Sequence, residues 1–348
     1  MITRKASKIR AVLLWVIACV LCLTAGGIIG PVAAQAATPQ YTFYFISHCM
    51  PADVFWAREY KGMMDACERY NIKGVYLGSQ TSGDVGELLR NLETAIAAKP
   101  DGIACVITDP RPLDDPLRMA AKAGIPVVAV NVKDFRPDEE RVPYLIYIGE
   151  DSYLSGAKQA ERFLQEFKAM YGRVPKKSVF AIHEPGNIVQ EKRATGVIDV
   201  LKEAGVNSVE KLDVTYDPTK VSETLRAYIK ANPDVESIHT GNILVAHWAV
   251  DVLEEIGKLG KVGAPTKDGM IFVCGIDLSS EGIDDIMQGK IVCTIDQQPY
   301  LQGYLAMETL WLWKTYQLIP STDLATGPYV VDKSNAADVL EFVDKGIR

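Results

Sequence analysis

The sequence predicts an α/β protein of two similar lobes, each a parallel β-sheet flanked by helices. Three observations carry that expectation. Short apolar runs alternate with amphipathic stretches from residue 41 onward, the alternation restarts near residue 178, and no long Pro/Ser linker separates the halves. In the first half, "YTFYFIS" (41–47), "GVYLG" (74–78), "GIACVIT" (102–108), "IPVVAVN" (125–131) and "YLIYIG" (144–149) read as strands buried on both faces. Helical spacing falls between them at 54–70, 84–98 and 112–123. In the second half, "SVFAIH" (178–183), "VEKLDV" (209–214), "ESIHTG" (236–241), "MIFVCGID" (270–277) and "KIVCTID" (290–296) alternate with helices near 152–171, 187–204, 219–231, 242–258 and 279–288. Strand, helix, strand in that order predicts right-handed crossovers and parallel sheets. Local wording repeats as well: "KPDGIACVITD" (99–109) and "NPDVESIHTGN" (232–242) each end a helix at Pro-Asp and enter a strand. Short crossings then join the lobes, and the cleft between them is the natural binding place.

The N-terminal segment stands apart from this grammar. Arg4, Lys5, Lys8 and Arg10 precede an uncharged apolar run that ends in small residues at Ala34 and Ala36. This reads as an export signal over residues 1–36. An uncleaved N-terminal anchor is the alternative, since the run is about as long as a bilayer-spanning helix. The whole chain of 348 residues carries a formal charge of −7; without residues 1–36, 33 Lys plus Arg face 44 Asp plus Glu, a net −11. Such a surface does not hold nucleic acid or anionic lipid nonspecifically. Five cysteines follow the segment, an odd number without CxxC spacing, which argues against a disulfide framework or a zinc site. Cys105, Cys274 and Cys293 lie in strand-like runs and read as buried thiols, while Cys49 and Cys67 sit at opposite ends of one helix, too far apart to bridge.

Ligands of open parallel sheets bind beyond the carboxyl ends of the strands, where loops and helix N-termini converge. After the first strand comes "SHCMPADVFW", which starts a helix. Trp56, Tyr60, Met63 and Cys67 form one buried stripe, but Phe55 sits about 100° round from it and precedes Glu59 by a turn. Phe55 is therefore surplus to the core. The other strand ends offer Thr108 and Asp109, Asn131, Glu150 and Asp151, then His183 within "HEPGN", Tyr216 with Asp217, Asn242, Asp277, and Gln297 within "DQQPY". Amides, carboxylates and aromatics dominate, with almost no Lys or Arg. Carboxylate and amide oxygens accept from hydroxyls while aromatic faces cover the C–H faces of a ring, so this chemistry suits a neutral polyhydroxylated ligand. Single residues have plainer readings: Asp53 and Asn242 as helix caps, Asn131 as a turn residue, Glu191 and Arg193 as a solvated helix face. No GxSxG, GxxxxGK[ST], HExxH or strand-linked GxGxxG occurs, and no cofactor is expected.

With these positions in hand, the chain over about 40–335 resembles the periplasmic sugar-binding proteins of the ribose-binding type, the substrate-binding components of sugar ABC transporters. The matching stretches are "DVFWAREYKG", "KPDGIACVITDP", "AGIPVVAVN", "IGEDSYLSG", "RATG" (193–196), "GNILVAHWA", "CGIDLS" and "TIDQQPYLQGY". The resemblance implies the type I periplasmic binding protein fold, with lobes joined by three crossings near Glu150, Gln297 and Gly327. The lobes would then be 40–149 plus 298–327 and 150–297 plus 328–348. It implies a cleft holding Asp53, Phe55, Trp56 and Asn131 from the first lobe and Asn242, Asp277 and Gln297 from the second, with Tyr216 as a further aromatic; Asp109, His183 and Glu191 complete the expected ligand-binding set. Ribose-type members carry an Arg after the fourth-strand polar residue and another opening the helix after the sixth strand, where this chain has Val132 and Glu191. The sugar is then held differently from ribose, with His183, Glu184 and Asn187 as replacements.

The expected role is that of an exported, monomeric, non-enzymatic receptor, periplasmic or on the outer cell surface. It would capture a monosaccharide or neutral polyol and pass it to an ABC transporter permease, without contacting nucleic acid. A ligand-sensing subunit for a membrane kinase or chemoreceptor is the nearest alternative. A secreted carbohydrate-active enzyme using paired carboxylates such as Asp53 and Asp277 is the alternative of another class.

Overall fold

The computed structural model describes residues 38–348 apart from Asp53 and Ser82. The segment read as an export signal lies outside the described residues, and so does Asp53, as ligand contact or as cap. Among the described residues, no helix is long and apolar enough to cross a membrane.

The first half contributes β1 (Tyr41–Ser47), α1 (Val54–Tyr70), β2 (Ile72–Gly78), α2 (Val85–Ala97), β3 (Gly102–Cys105), α3 (Pro110–Lys122), β4 (Val127–Val130) and β5 (Tyr147–Glu150). The second contributes α4 (Ser152–Tyr171), β6 (Lys177–Ile182), α5 (Ile188–Glu203), β7 (Ser208–Asp213), α6 (Pro218–Ala231), β8 (Val235–Thr240), α7 (Ile243–Glu255), β9 (Phe272–Ile276), α8 (Ser280–Met287) and β10 (Ile291–Asp296). Then follow α9 (Pro299–Tyr316), β11 (Leu324–Gly327), β12 (Tyr329–Asp332) and α10 (Ala336–Asp344). Two six-stranded sheets result, in the orders β11-β5-β4-β3-β1-β2 and β12-β10-β9-β8-β6-β7. Position for position the two orders correspond, which is the structural form of the repeat seen in the wording.

Every pairing in the first sheet is parallel. The second departs once, where β12 runs antiparallel to β10. The cause is chain direction: β11 runs toward the junction between the sheets, only Pro328 separates it from β12, and the chain keeps its heading into the second sheet. The chain also passes between the sheets after Glu150, entering α4 against α5 and β10, and after Asp296, entering α9 against α1.

Alternate residues of a strand supply opposite faces, so each sheet has two cores. Phe45 belongs to one core of the first sheet and its neighbour Ile46 to the other; Val179 and Phe180 divide in the same way in the second. The run 74–78, expected to be buried on both faces, is only partly buried over 74–77, and Lys73 just before it in β2 is exposed; β7 likewise exposes Glu210, Lys211 and Asp213. Both are edge strands, and edges keep charge toward solvent.

Helix packing corrects two further expectations. Gly62 of α1 and Gly303 of α9 let these helices touch: a Cβ would lie 2.0 Å from the Tyr300 carbonyl oxygen at the first and 1.9 Å from that of Glu59 at the second. Because α9 covers this face, Glu59 is wholly buried, neither carboxylate oxygen has a partner among the described residues, and burial pushes its pKa well above the carboxylate range. The face below Phe55 is therefore not polar, and Phe55 itself packs partly on the first-sheet core. An equivalent crossing joins α4 and α5 in the second lobe, where a Cβ on Gly156 would lie 2.0 Å from the Arg193 carbonyl oxygen. All five described cysteines are buried thiols.

Candidate functional site

Strand ends of both sheets open onto one cleft of about 690 Å³. Asn131 and Asp277 follow the equivalent strands β4 and β9, and both have left-handed backbones, with φ of 60° and 75°. Asn and Asp enter this region more readily than other non-glycine residues, but it still needs support. The Asn131 amide donates to the Ile148 carbonyl at 2.9 Å, and its carbonyl accepts from the Tyr147 hydroxyl at 2.7 Å. The Asp277 amide donates to the Ile295 carbonyl at 2.7 Å, and its carbonyl accepts from the Thr294 hydroxyl at 2.7 Å. Both side chains line the cleft. Asn131 Nδ2 also donates to Gln302 Oε1 at 3.0 Å, and Asp277 Oδ1 accepts from Gln297 Nε2.

Of the other expected residues, Phe55, Trp56, Asp109, His183, Tyr216, Asn242 and Gln297 line the same cleft. Phe55 meets Trp56 edge-on with ring centroids 5.1 Å apart; Trp56 is buried in the first-lobe core. Tyr216 is 46% exposed and lies 5.2 Å, centroid to centroid, from His183. Burial, with Arg193 nearby, pushes the His183 imidazole down to about 4. Asp109 and Asn242 are also helix N-caps, accepting from the amides of Arg111 and Leu244.

Glu191 does not line the cleft. It accepts from Lys211 Nζ at 2.6 Å and from the Gly186 amide at 3.2 Å. On α5, Gln190 and Arg193 are three residues apart and share the cleft-facing side, whereas Glu191 is turned by about 100° from Gln190 toward β7. The expected replacements Glu184 and Asn187 line the cleft but pair with each other, Asn187 Nδ2 donating to Glu184 Oε2 at 2.8 Å.

Cations were expected to be nearly absent, yet Arg111, Lys133, Arg136 and Arg193 line the cleft. Each is matched to carboxylate. Arg111 pairs with Asp109 at 2.8 Å and Lys133 with Asp323 at 2.7 Å. Arg136 bridges Asp134 at 2.8 Å and Asp114 at 2.9 Å. Arg193, read from the sequence as a solvated helix residue, is buried; it pairs with Glu150 and donates through Nη1 to the Gly241 carbonyl at 3.0 Å. Glu150 in turn accepts from the hydroxyls of Ser152 and Ser155 at 3.3 and 2.6 Å.

The lobes touch across the cleft. Arg58 Nη1 of α1 donates to the Leu278 carbonyl at 3.1 Å, Lys192 Nζ stands 4.7 Å over the Phe135 ring, and Val189 packs on the first-lobe core.

A family model for the periplasmic binding protein domain matches residues 43–313. The chain belongs to that family. A xylose/arabinose-binding protein from Sulfolobus acidocaldarius is 29% identical over 315 residues, 87% of this chain and 73% of that protein. Among solved structures, a carbohydrate transporter from Acidothermus cellulolyticus in complex with myo-inositol is 29% identical with a TM-score of 0.74, covering 89% of this chain and 100% of that one. A periplasmic sugar-binding protein of an ABC sugar transporter from Legionella pneumophila is 27% identical with a TM-score of 0.72, over 83% of this chain and 100% of that one. Membership of the periplasmic binding protein family implies an extracytoplasmic location.

Proposed function

We propose that this chain is an exported solute-binding protein that captures a monosaccharide or related neutral polyol and delivers it to an ABC transporter permease. The pairing of the four cleft cations among the described residues with carboxylates carries this reading, because an anionic ligand would find no uncommitted cation there. What the cleft offers instead is amide and carboxylate oxygens beside aromatic rings, the groups that hold hydroxyls and cover a sugar ring. The sugars and the cyclitol of the relatives agree with that chemistry.

In this reading Asn131, Asn242, Asp277 and Gln297 bond ligand hydroxyls, Phe55, Trp56 and Tyr216 enclose the ring, and Asp109 and His183 contact its outer side. Asp53 joins them on sequence position. The lobes are 40–149 with 298–327 and 150–297 with 328–348, and contacts made only in the closed arrangement couple ligand binding to closure. The protein acts as a monomer outside the cytoplasmic membrane, directed there by residues 1–36, and catalyses nothing. Micromolar affinity, about −8 kcal/mol, needs only a few such hydrogen bonds after ordering costs. Titration calorimetry against neutral sugars and cyclitols, with a uronic acid and a sugar phosphate for contrast, tests the reading. Heat from a neutral member alone is expected; preference for the charged compounds would sink it.

A further inference from the structure

Among the described residues, four polar atoms of cleft-lining side chains are buried and unpartnered: Nδ1 of His48, Oγ1 of Thr108, Nδ1 of His183 and Oε1 of Gln190. They come in pairs from the two lobes. His48 and Thr108 follow the adjacent strands β1 and β3, while His183 follows β6 and Gln190 lies in the first turn of α5. An unpaired buried polar group costs about 1–3 kcal/mol, a cost removed when a ligand group bonds to it.

His48 is the best fixed of the four. Its ring stands edge-on to Trp56, centroids 4.8 Å apart at 82°, and Trp56 is itself immobilised in the core. Its carbonyl accepts from the Gly83 amide at 3.0 Å, which fixes the backbone that presents the ring. Burial pushes the imidazole down to about 4, so the ring is neutral near pH 7, with one nitrogen donating and the other accepting. A neutral imidazole matches a hydroxyl in either tautomer, since a hydroxyl both donates and accepts.

We propose that His48, seconded by Thr108, is a specificity-determining contact: its Nδ1 bonds one particular ligand hydroxyl from the first lobe, while His183 and Gln190 bond hydroxyls from the second. The proposal rests on the sugar-binding reading above. Its consequence is selection against ligands lacking that hydroxyl, because removing one partner leaves the other buried and unpaired.

The test is calorimetry on the intact protein with myo-inositol, D-xylose, D-arabinose and D-allose, followed by monodeoxy derivatives of whichever binds tightest. The variant His48→Phe keeps the ring against Trp56 and removes its nitrogens. It should bind the parent sugar roughly tenfold or more weakly with a melting temperature near that of the unaltered protein. One monodeoxy derivative should bind the unaltered protein poorly, yet lose nothing further in His48→Phe. His48→Asn, which restores a polar atom, should fall between the two, and it carries the same comparison should His48→Phe not fold. Affinity within threefold of the unaltered protein, or equal losses for every derivative, overturns the proposal alone. Failure of the unaltered protein to bind these four compounds or any other neutral sugar or cyclitol of the wider panel overturns the sugar-binding reading and this proposal with it.

Discussion

Phe55 and Trp56 share a helix turn but stand differently toward the core: Trp56 is 6% exposed within it, and Phe55 is only partly packed. Phe55→Ala is expected to weaken ligand binding more than tenfold with a small fall in melting temperature. Trp56→Ala should lower both, since truncating a buried Trp typically costs about 3–5 kcal/mol. Paired calorimetry and thermal melts of the two variants check this. Strand-end residues were legible in the sequence because a parallel sheet sends them to one edge whatever the tertiary detail. Arg193 was not. Its carboxylate, on Glu150, is 43 residues away, and nothing local marks the helix face it occupies as buried. Glu59 was hidden for a similar reason, because the helix that covers it begins at Pro299.

At the scale of elements, the alternation of apolar runs and helical spacing was enough to find the strands and helices as far as β10. It could not say that β2 and β7 are edges, because sheet order is set by pairings between distant segments. Nor did any period in the sequence announce the α1–α9 crossing, which depends on two glycines 241 residues apart meeting in space. Gly303→Ala places a methyl carbon against a helix backbone that has no room to withdraw. Overpacking of this kind commonly costs about 1–3 kcal/mol. A drop in the midpoint of chemical denaturation is expected, larger than that of Gly124→Ala, where a Cβ would meet nothing within 4 Å and only the left-handed backbone objects.

For the whole molecule, the buried titratable groups set how stability varies with pH. His48 and His183 are held near 4 and His239 near 3, chiefly by burial, so between those values and about 6.5 the unfolded chain binds more protons than the folded one. Stability should therefore rise with pH over that window. Glu59 has the opposite sign: with its folded pKa raised, the folded state holds the extra proton and loses ground as pH climbs past the ordinary carboxylate range. From about pH 4.5 to 6.5 the three histidines outweigh Glu59, so melting temperature should rise with pH there, and Glu59→Gln, which removes the opposing effect, should steepen that rise. A Glu59→Gln variant whose melting temperature follows the same slope as the unaltered protein between about pH 4.5 and 6.5 would contradict the assignment of Glu59.

The hydrogen bond from Arg58 to the Leu278 carbonyl joins helix α1 of one lobe to the residue next to Asp277 on the other. A contact of this sort exists only after the lobes have met, so it contributes nothing to the first encounter with a solute and much to how long the solute stays. Arg58→Ala is therefore expected to leave the association rate close to unchanged and to shorten residence time, which stopped-flow tryptophan fluorescence would resolve. For a protein that hands over its cargo, that dwell time sets how many captured molecules are still on board when the acceptor is reached.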